Sequence, residues 1–462
     1  MTIRKTSPTA GAMTNYNNTI YKGIDWSMIV IYAALVIIGV LMIFANEYKE
    51  GESILQPVLT QSKDYGKQVL WVGISSVFAI FILLTDSKFF TATANLLYGL
   101  GILLCLAALF VGSEVKGSKS WLVLGGLRLQ PSELSKVFTC LALSKYISRQ
   151  ETDFNKTNSQ IIGAAISLLP AIITIAQNET GLALVYFSFF LVMYREGLPP
   201  HILIAGASIA VILILSLIFS PKTLFIAYAV LAVAVIFYAR KMFKRKRFLL
   251  WSIMAIWAIA SVISSLAIPY FINKGMKPYQ RDRIYSLVGK TYVPQHPVER
   301  AELEKLKLKN RGKSQNQSEY NVIQSKIAIG SGRLFGKGYL KGTQTRYDFV
   351  PEQRTDFIFC TIGEGFGFVG SIIFLSLYVL LLFKTVTIAE RQRSTFSRVY
   401  AYGVASIFFF HIAINIGMTI GLAPVIGIPL PLISYGGSSL LTFTILLFIL
   451  LRLDADKQMI LR

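Results

Sequence analysis

Three charged side chains fall within five residues in the stretch Val350-Pro351-Glu352-Gln353-Arg354-Thr355-Asp356-Phe357-Ile358-Phe359, where a basic segment runs into a long apolar one. A carboxylate at the mouth of a helix bundle can take a proton from a sugar or alcohol hydroxyl, which makes Asp356 the candidate general base. Glu352 and Arg354 flank it. Thr355 or Asp356 would also serve as the cap of the helix that follows, since both side-chain types accept from orphan N–H groups there. The two roles are compatible.

A second constellation suits an anion. The run Ile329-Gly330-Ser331-Gly332-Arg333-Leu334-Phe335-Gly336-Lys337-Gly338-Tyr339-Leu340-Lys341-Gly342 alternates glycines with cations. Glycine lets backbone N–H groups turn toward a phosphate or pyrophosphate, while Arg333, Lys337 and Lys341 supply charge. The bland alternative is an irregular loop with ordinary turn glycines. The spacing is neither a Rossmann nor a Walker fingerprint, which argues against a nucleotide-driven pump. Lys116, Lys119 and Arg128 make a comparable basic group around Trp121. That ring reads either as an interfacial tryptophan or as a sugar-stacking platform.

Just downstream, Pro131-Ser132-Glu133 reads as a helix start with Ser132 and Glu133 in capping positions. Lys136 lies one turn further on, and a Glu133–Lys136 pair beside a wet cavity is expected because lone charges inside a span are costly. Gln177-Asn178-Glu179-Thr180-Gly181 is a polar break between two apolar runs, and Glu364 lies just inside the run after Asp356. His411 and Asn415, four residues apart, share a helix face, as expected of hydrogen bonding between helices. The segment 423–439 is apolar yet broken by prolines and glycines. Such backbone survives at membrane depth only when buried in protein or lining a cavity. It is therefore read as a wall of the site, with Ser434 among the substrate-binding groups. No His, Cys or Asp cluster has metal-ligand spacing. Cys105, Cys140 and Cys360 sit in apolar runs and imply neither a disulfide nor a metal.

The elements that must position these residues follow from composition. Of 462 residues, 54% are hydrophobic and only 15% charged, and the mean hydropathy is +0.56. A soluble domain carries about 25% charge, so the chain reads as an all-α polytopic membrane protein. Spans are expected near 26–45, 69–85, 93–111, 132–147, 161–176, 182–194, 201–219, 223–239, 248–272, 357–383, 399–421 and 436–451, about twelve in all. No cleavable signal is expected. With both termini cytoplasmic, the inner segments hold 21 Lys and Arg against 7 in the short outer loops, which satisfies the positive-inside rule.

The domain reading is a cytoplasmic tail over 1–25, helices over 26–272, a large extracytoplasmic loop over 273–356, helices over 357–452 and a tail over 453–462. That loop holds 17 Lys and Arg against 8 Asp and Glu, a surface for an anionic substrate or a collar on anionic headgroups. Residues 297–313 are expected to form a charged surface helix.

Five stretches together resemble the SEDS family (shape, elongation, division and sporulation), most closely its rod-shape-determining, RodA-type branch. They are Trp121 to Lys136, Lys277-Pro278-Tyr279-Gln280-Arg281-Asp282-Arg283-Ile284, Ser325 to Gly342, Pro351 to Phe359, and Asn415 to Ser438. The resemblance implies a peptidoglycan glycosyltransferase that polymerises lipid II at the outer face of the cytoplasmic membrane. It identifies Asp356, in Thr-Asp-Phe, as the essential aspartate. It also implies a class B penicillin-binding protein as partner, with the elongation-complex membrane proteins around them and no nucleic acid. The sequence demands no cofactor, and a hydrated divalent cation (Mg or Mn) at the pyrophosphate is compatible with the chemistry.

The chain departs from the family pattern at several places. Glu179 stands where an aspartate is usual, Arg354 replaces a common histidine, and Gly365 follows Glu364 where a second glutamate is usual. Residues 201–272 have room for three spans where the ten-span family pattern expects one. Two other readings remain: a flippase for the lipid-linked precursor and a non-catalytic scaffold. A flippase needs a charged path through the midplane, whereas a polymerase needs its site only at the outer mouth.

Overall fold

The computed structural model describes residues 23–49, 51–115, 118–124, 127–238, 247–270, 317–423 and 425–456. The chain divides into two compact units, Met1–Leu198 with Val322–Arg462, and Pro199–Asn321. In the first unit run α1 (Trp26–Glu47), α2 (Asp64–Leu84), α3 (Ser87–Val111), α4 (Pro131–Ile147) and α5 (Thr157–Ala176). They are followed by α6 (Thr180–Arg195), which tightens to a 3-10 turn at Tyr186–Ser188. The second unit holds α7 (Pro200–Ile218), α8 (Pro221–Tyr238) and α9 (Arg247–Val262), the last continuing through a π turn to Tyr270. Then come α10 (Gln317–Ser331), α11 (Phe359–Arg391), α12 (Thr395–Thr419) and α13 (Gly437–Ala455).

A helix lies at each expected span, and among the described residues seven are long and apolar enough to cross a membrane. Their outward faces expose Val30, Ile37, Phe81, Leu96 and Phe383. Apolar side chains around the full circumference are what lipid on one side and protein on the other require. The centre of the first unit is different. α13 packs against α2, α3, α4 and α12 and is buried along almost its whole length. α4 is short and carries Ser132, Glu133, Ser135, Lys136 and Thr139, all buried. It tolerates them because α3, α12 and α13 surround it in place of lipid.

Two departures from the sequence reading concern the outer segments. Residues 113–129 are not wholly helix and loop: β1 (Ser113–Val115), β2 (Ser118–Leu124) and β3 (Leu127–Leu129) form an antiparallel sheet in the order β1-β2-β3. Alternation in Ser118-Lys119-Ser120-Trp121-Leu122-Val123 suits a strand with one face on protein, as buried Ser118 and Ser120 and exposed Lys119 show. Next, the cap of α11 falls on Ile358, so neither Thr355 nor Asp356 occupies the cap position. The expected charged helix 297–313, the stretch Lys277–Ile284 and Lys116 lie outside the described residues.

The glycine-rich run serves close backbone packing. α11 is broken at Gly367, whose φ of 67° and ψ of −159° are open only to glycine. A break frees backbone groups, and each must find a partner at membrane depth. The Glu364 and Gly365 carbonyls accept from Lys337 N–H (3.0 Å) and Gly338 N–H (2.9 Å). In return, Phe368 and Val369 N–H donate to the carbonyls of Arg333 (2.8 Å) and Leu334 (3.0 Å). A Cβ on Gly367 would sit 2.7 Å from Leu334 O and 2.8 Å from Gly332 O. Gly367→Ala is thus expected to lose about 1–3 kcal/mol from backbone strain alone. Gly330→Ala, whose Cβ would meet open space, is expected to be neutral or slightly stabilising. Thermal unfolding of both variants in detergent checks the pair.

Candidate active site

Asp356 lies in an irregular segment between the short helix Thr343–Arg346 and α11. Two apolar anchors fix that segment. Val350 and Phe357 are buried with Ala328 of α10 and Cys360 of α11, and Val322, Ile329 and Val425 pack around them. Between the anchors the chain turns tightly, the N–H groups of Thr355 and Phe357 both donating to Glu352 O at 3.1 Å. Asp356 is left half-buried, with its Oδ2 3.2 Å from where a Cβ on Gly427 would stand. A side chain at Gly427, whose φ is +76°, would therefore crowd the carboxylate.

Acids from two spans hold the neighbouring arginine. Arg354 reaches Glu47 Oε1 at 2.8 Å, Asp64 Oδ2 at 3.3 Å and Asp348 Oδ1 at 3.4 Å. Glu352 accepts from Thr355 Oγ1 at 3.1 Å through its own Oε2. Ser434 is buried and donates to Thr355 O. Glu352, Arg354, Asp356 and Ser434 are thus brought into one constellation. Beside it, burial with help from Asp64 and Glu47 pushes the Tyr435 phenol up to about 12, and the Arg128 charge partly offsets this. Glu47, Asp64 and Tyr435 are site neighbours that the sequence alone does not single out. Charges at span ends read simply as membrane edges, and only the fold converges them on Arg354.

The remaining candidates sort into exposed and internal groups. Lys119 (β2), Arg128 (β3), Arg333 and Lys341 are exposed, and Trp121 is half-buried on β2. Glu179 is engaged internally, accepting from Ser118 Oγ (2.6 Å), Ser120 Oγ (2.9 Å) and Gln130 Nε2 (3.3 Å). It ties the sheet to the α5–α6 turn. Glu364 is fully buried and accepts from the N–H groups of Thr343 (2.8 Å), Gln344 (2.9 Å) and Thr345 (2.9 Å). Lys337 Nζ meets the same carboxylate at 2.6 Å, so its charge is matched inside the protein. Glu364→Gln keeps the volume but turns donors toward donors. It is expected to cost about 1–3 kcal/mol, read as a lower unfolding midpoint.

Glu133 does not cap a helix end in water, and its expected pairing with Lys136 forms in the core. Both are buried, 2.7 Å apart, and Lys136 Nζ also lies 2.8 Å from His411 Nε2. Phe443 covers the ammonium, its ring centroid 5.4 Å away. Among the described residues no group of three His, Cys, Asp or Glu side chains is arranged to hold a metal ion.

The geometry can be set beside known proteins. The family model for cell cycle proteins of the FtsW, RodA and SpoVE type matches residues 25–253 and 248–459. The peptidoglycan glycosyltransferase RodA of Treponema pallidum is 30% identical, over 94% of this chain and 98% of its own. The peptidoglycan glycosyltransferase MrdB of Escherichia coli K12 is 29% identical, over 95% of each chain. A solved peptidoglycan synthase complex, described as coordinating polymerization and crosslinking, superposes with a TM-score of 0.63 at 24% identity. That match covers 94% of this chain and 98% of the solved one, and it bears on the fold alone. With family resemblance running from the first span to the last, this chain belongs to the FtsW, RodA and SpoVE family of cell cycle proteins, the SEDS family.

Proposed function

We propose that this peptidoglycan glycosyltransferase polymerises lipid II into β-1,4 glycan strands with inversion, using Asp356 as general base. The carboxylate takes the proton of the acceptor 4-hydroxyl as that oxygen attacks the donor anomeric carbon. The bond from that carbon to the lipid pyrophosphate breaks, and the pyrophosphate leaves with the electron pair. Such a leaving group needs charge stabilisation more than a proton. Lys119, Arg128, Arg333 and Lys341 are the exposed cations for that role, with Lys116 and a lesser share from Lys337. Trp121 offers a face for a sugar ring. A divalent cation has no protein cage among the described residues, so no step is assigned to one.

The observation that carries this reading is the position of Asp356. It is half-buried in a braced turn at the end of the bundle where the exposed cations also emerge. The other end of the bundle lies about 33 Å away along α1, from its 22 residues. There Arg391 pairs with Asp25 and Asp454, and Arg398 with Glu196. By the positive-inside rule that end faces the cytoplasm and Asp356 faces out.

The buried charges argue against a flippase. Glu133, Lys136 and His411 are at most 1% exposed and bond to one another, so they form a sealed core group and not a wet path. A class B penicillin-binding protein is the proposed cross-linking partner, in cell elongation.

The test uses the full chain in nanodiscs with that partner, its transpeptidase blocked by a β-lactam, supplied with labelled lipid II. Glycan strands are expected, together with no lipid II scrambling in liposomes. Scrambling without polymer would replace the enzyme by a transporter. Neither activity, beside a working control polymerase, would leave a scaffold.

A further inference from the structure

We propose that Asn415 and Ser434 are positioning residues that clamp the backbone of Asp356. The inference rests on the reading of Asp356 as the base. Three consecutive carbonyls are each taken by a different donor. Arg354 O accepts from Tyr435 N–H at 2.8 Å, Thr355 O from Ser434 Oγ, and Asp356 O from Asn415 Nδ2 at 2.8 Å. One of these donors sits on α12 and the other two on the segment 425–436.

The chemistry fixes the direction of each bond. Asn415 touches two carbonyls, those of Asp356 and Ile428 (2.6 Å), and carbonyls cannot donate. Its NH₂ must therefore face both, and both hydrogens are used. Ser434 Oγ accepts from Leu430 N–H at 2.8 Å, which leaves its one proton for Thr355 O. The hydroxyl is engaged in both directions, so Ser434 positions the base where the sequence reading made it a substrate contact.

One turn earlier on α12, His411 Nδ1 lies 3.2 Å from Pro429 O. A carbonyl partner assigns the ring hydrogen to Nδ1 and leaves Nε2 to accept from Lys136, 2.8 Å away. The Glu133–Lys136 pair on α4 thereby braces the helix face that grips the clamp.

The clamp matters because the Asp356 segment belongs to no helix or strand ladder. An unheld peptide plane there would swing the carboxylate, and a misplacement of about 1 Å in such a group can lower a rate by about 10²-fold. Neither Asn415 nor Ser434 is exposed enough to meet a sugar, at 0% and 4%.

The test compares Asn415→Leu, Ser434→Ala and Ser434→Thr in the nanodisc complex, with Asp356→Asn alongside. For Asn415→Leu, kcat is expected to fall about 10²-fold with KM for lipid II within about twofold. For Ser434→Ala the fall is expected to be about tenfold, the worth of one hydrogen bond, and threonine is expected to restore most of it. Amide hydrogen exchange is expected to quicken in peptides from 350–358 and 425–436 and stay unchanged elsewhere, which separates a loosened clamp from a protein that has failed to fold. Wild-type kcat in Asn415→Leu with Asp356→Asn inactive would overturn the clamp, and so would a loss confined to KM. Wild type that makes no polymer would sink the functional reading instead. The exchange data would then decide the clamp alone, unchanged protection refuting it.

Discussion

Asp356→Asn is expected to lower glycan polymerisation by about 10²- to 10⁴-fold, the usual worth of a positioned general base. Asparagine keeps the volume and the backbone carbonyl, so the bond from Asn415 Nδ2 survives. The fold is therefore expected to hold, with an unchanged unfolding midpoint and elution profile. KM for lipid II is expected to move little, because an interaction made only in the transition state lowers kcat. Initial rates with labelled lipid II, resolved by gel as strand length, measure the effect. Polymer equal to wild type would move the base to another carboxylate. Glu352 would be the first choice, being on the same turn and hydrogen-bonded to Thr355. Glu179 is the weaker alternative, since it already accepts from Ser118, Ser120 and Gln130.

Lys136→Met is expected to cost about 3–5 kcal/mol in stability, because it strands the Glu133 carboxylate in a dry core. Glu133 is 1% exposed, and the ammonium is its ion-pair partner. The loss is large against the few kcal/mol that separate folded from unfolded states. The pair itself need not be stabilising. Replacing both, as Glu133→Gln with Lys136→Met, removes the stranded charge and is expected to recover most of the loss. A double-mutant cycle on unfolding midpoints in detergent measures the coupling. Equal midpoints for wild type and the single variant would show water reaching the site and reopen the flippase reading. The double variant is also expected to polymerise more slowly than wild type, since His411 would lose the donor to its Nε2.

Much of the fold was legible because lipid imposes a simple rule on sequence. A run of about 20 apolar residues must be a helix, and the expected spans each coincide with one in the structure. Boundaries drifted where helices continue into polar residues, as α2 and α3 do by beginning at Asp64 and Ser87. The small sheet over 113–129 was missed, although alternation in β2 and glycines at 117, 125 and 126 carried the signal. In a basic, polar stretch between two spans the charges are the stronger signal, and they mask the period of two.

The sequence by itself determined a polytopic helical protein, the bias of its charges along the chain and the family, and it singled out the aspartate proposed as the base. These depend on local composition and on motifs contiguous in the chain. Only the tertiary structure decided which polar groups reach the surface and which face each other. Lys337 and Glu364 read as separate site residues, yet they neutralise one another beneath the run of glycines. Those glycines turn out to close a broken helix, a role set by α11, more than twenty residues away from some of them. Asn415 and Ser434 stand 59 and 79 residues from their partners near Asp356. The physical reason is common to all of them. A hydrogen bond is satisfied by whatever lies within about 3 Å, and in a bundle that neighbour is chosen by packing between helices, which no single stretch of sequence encodes.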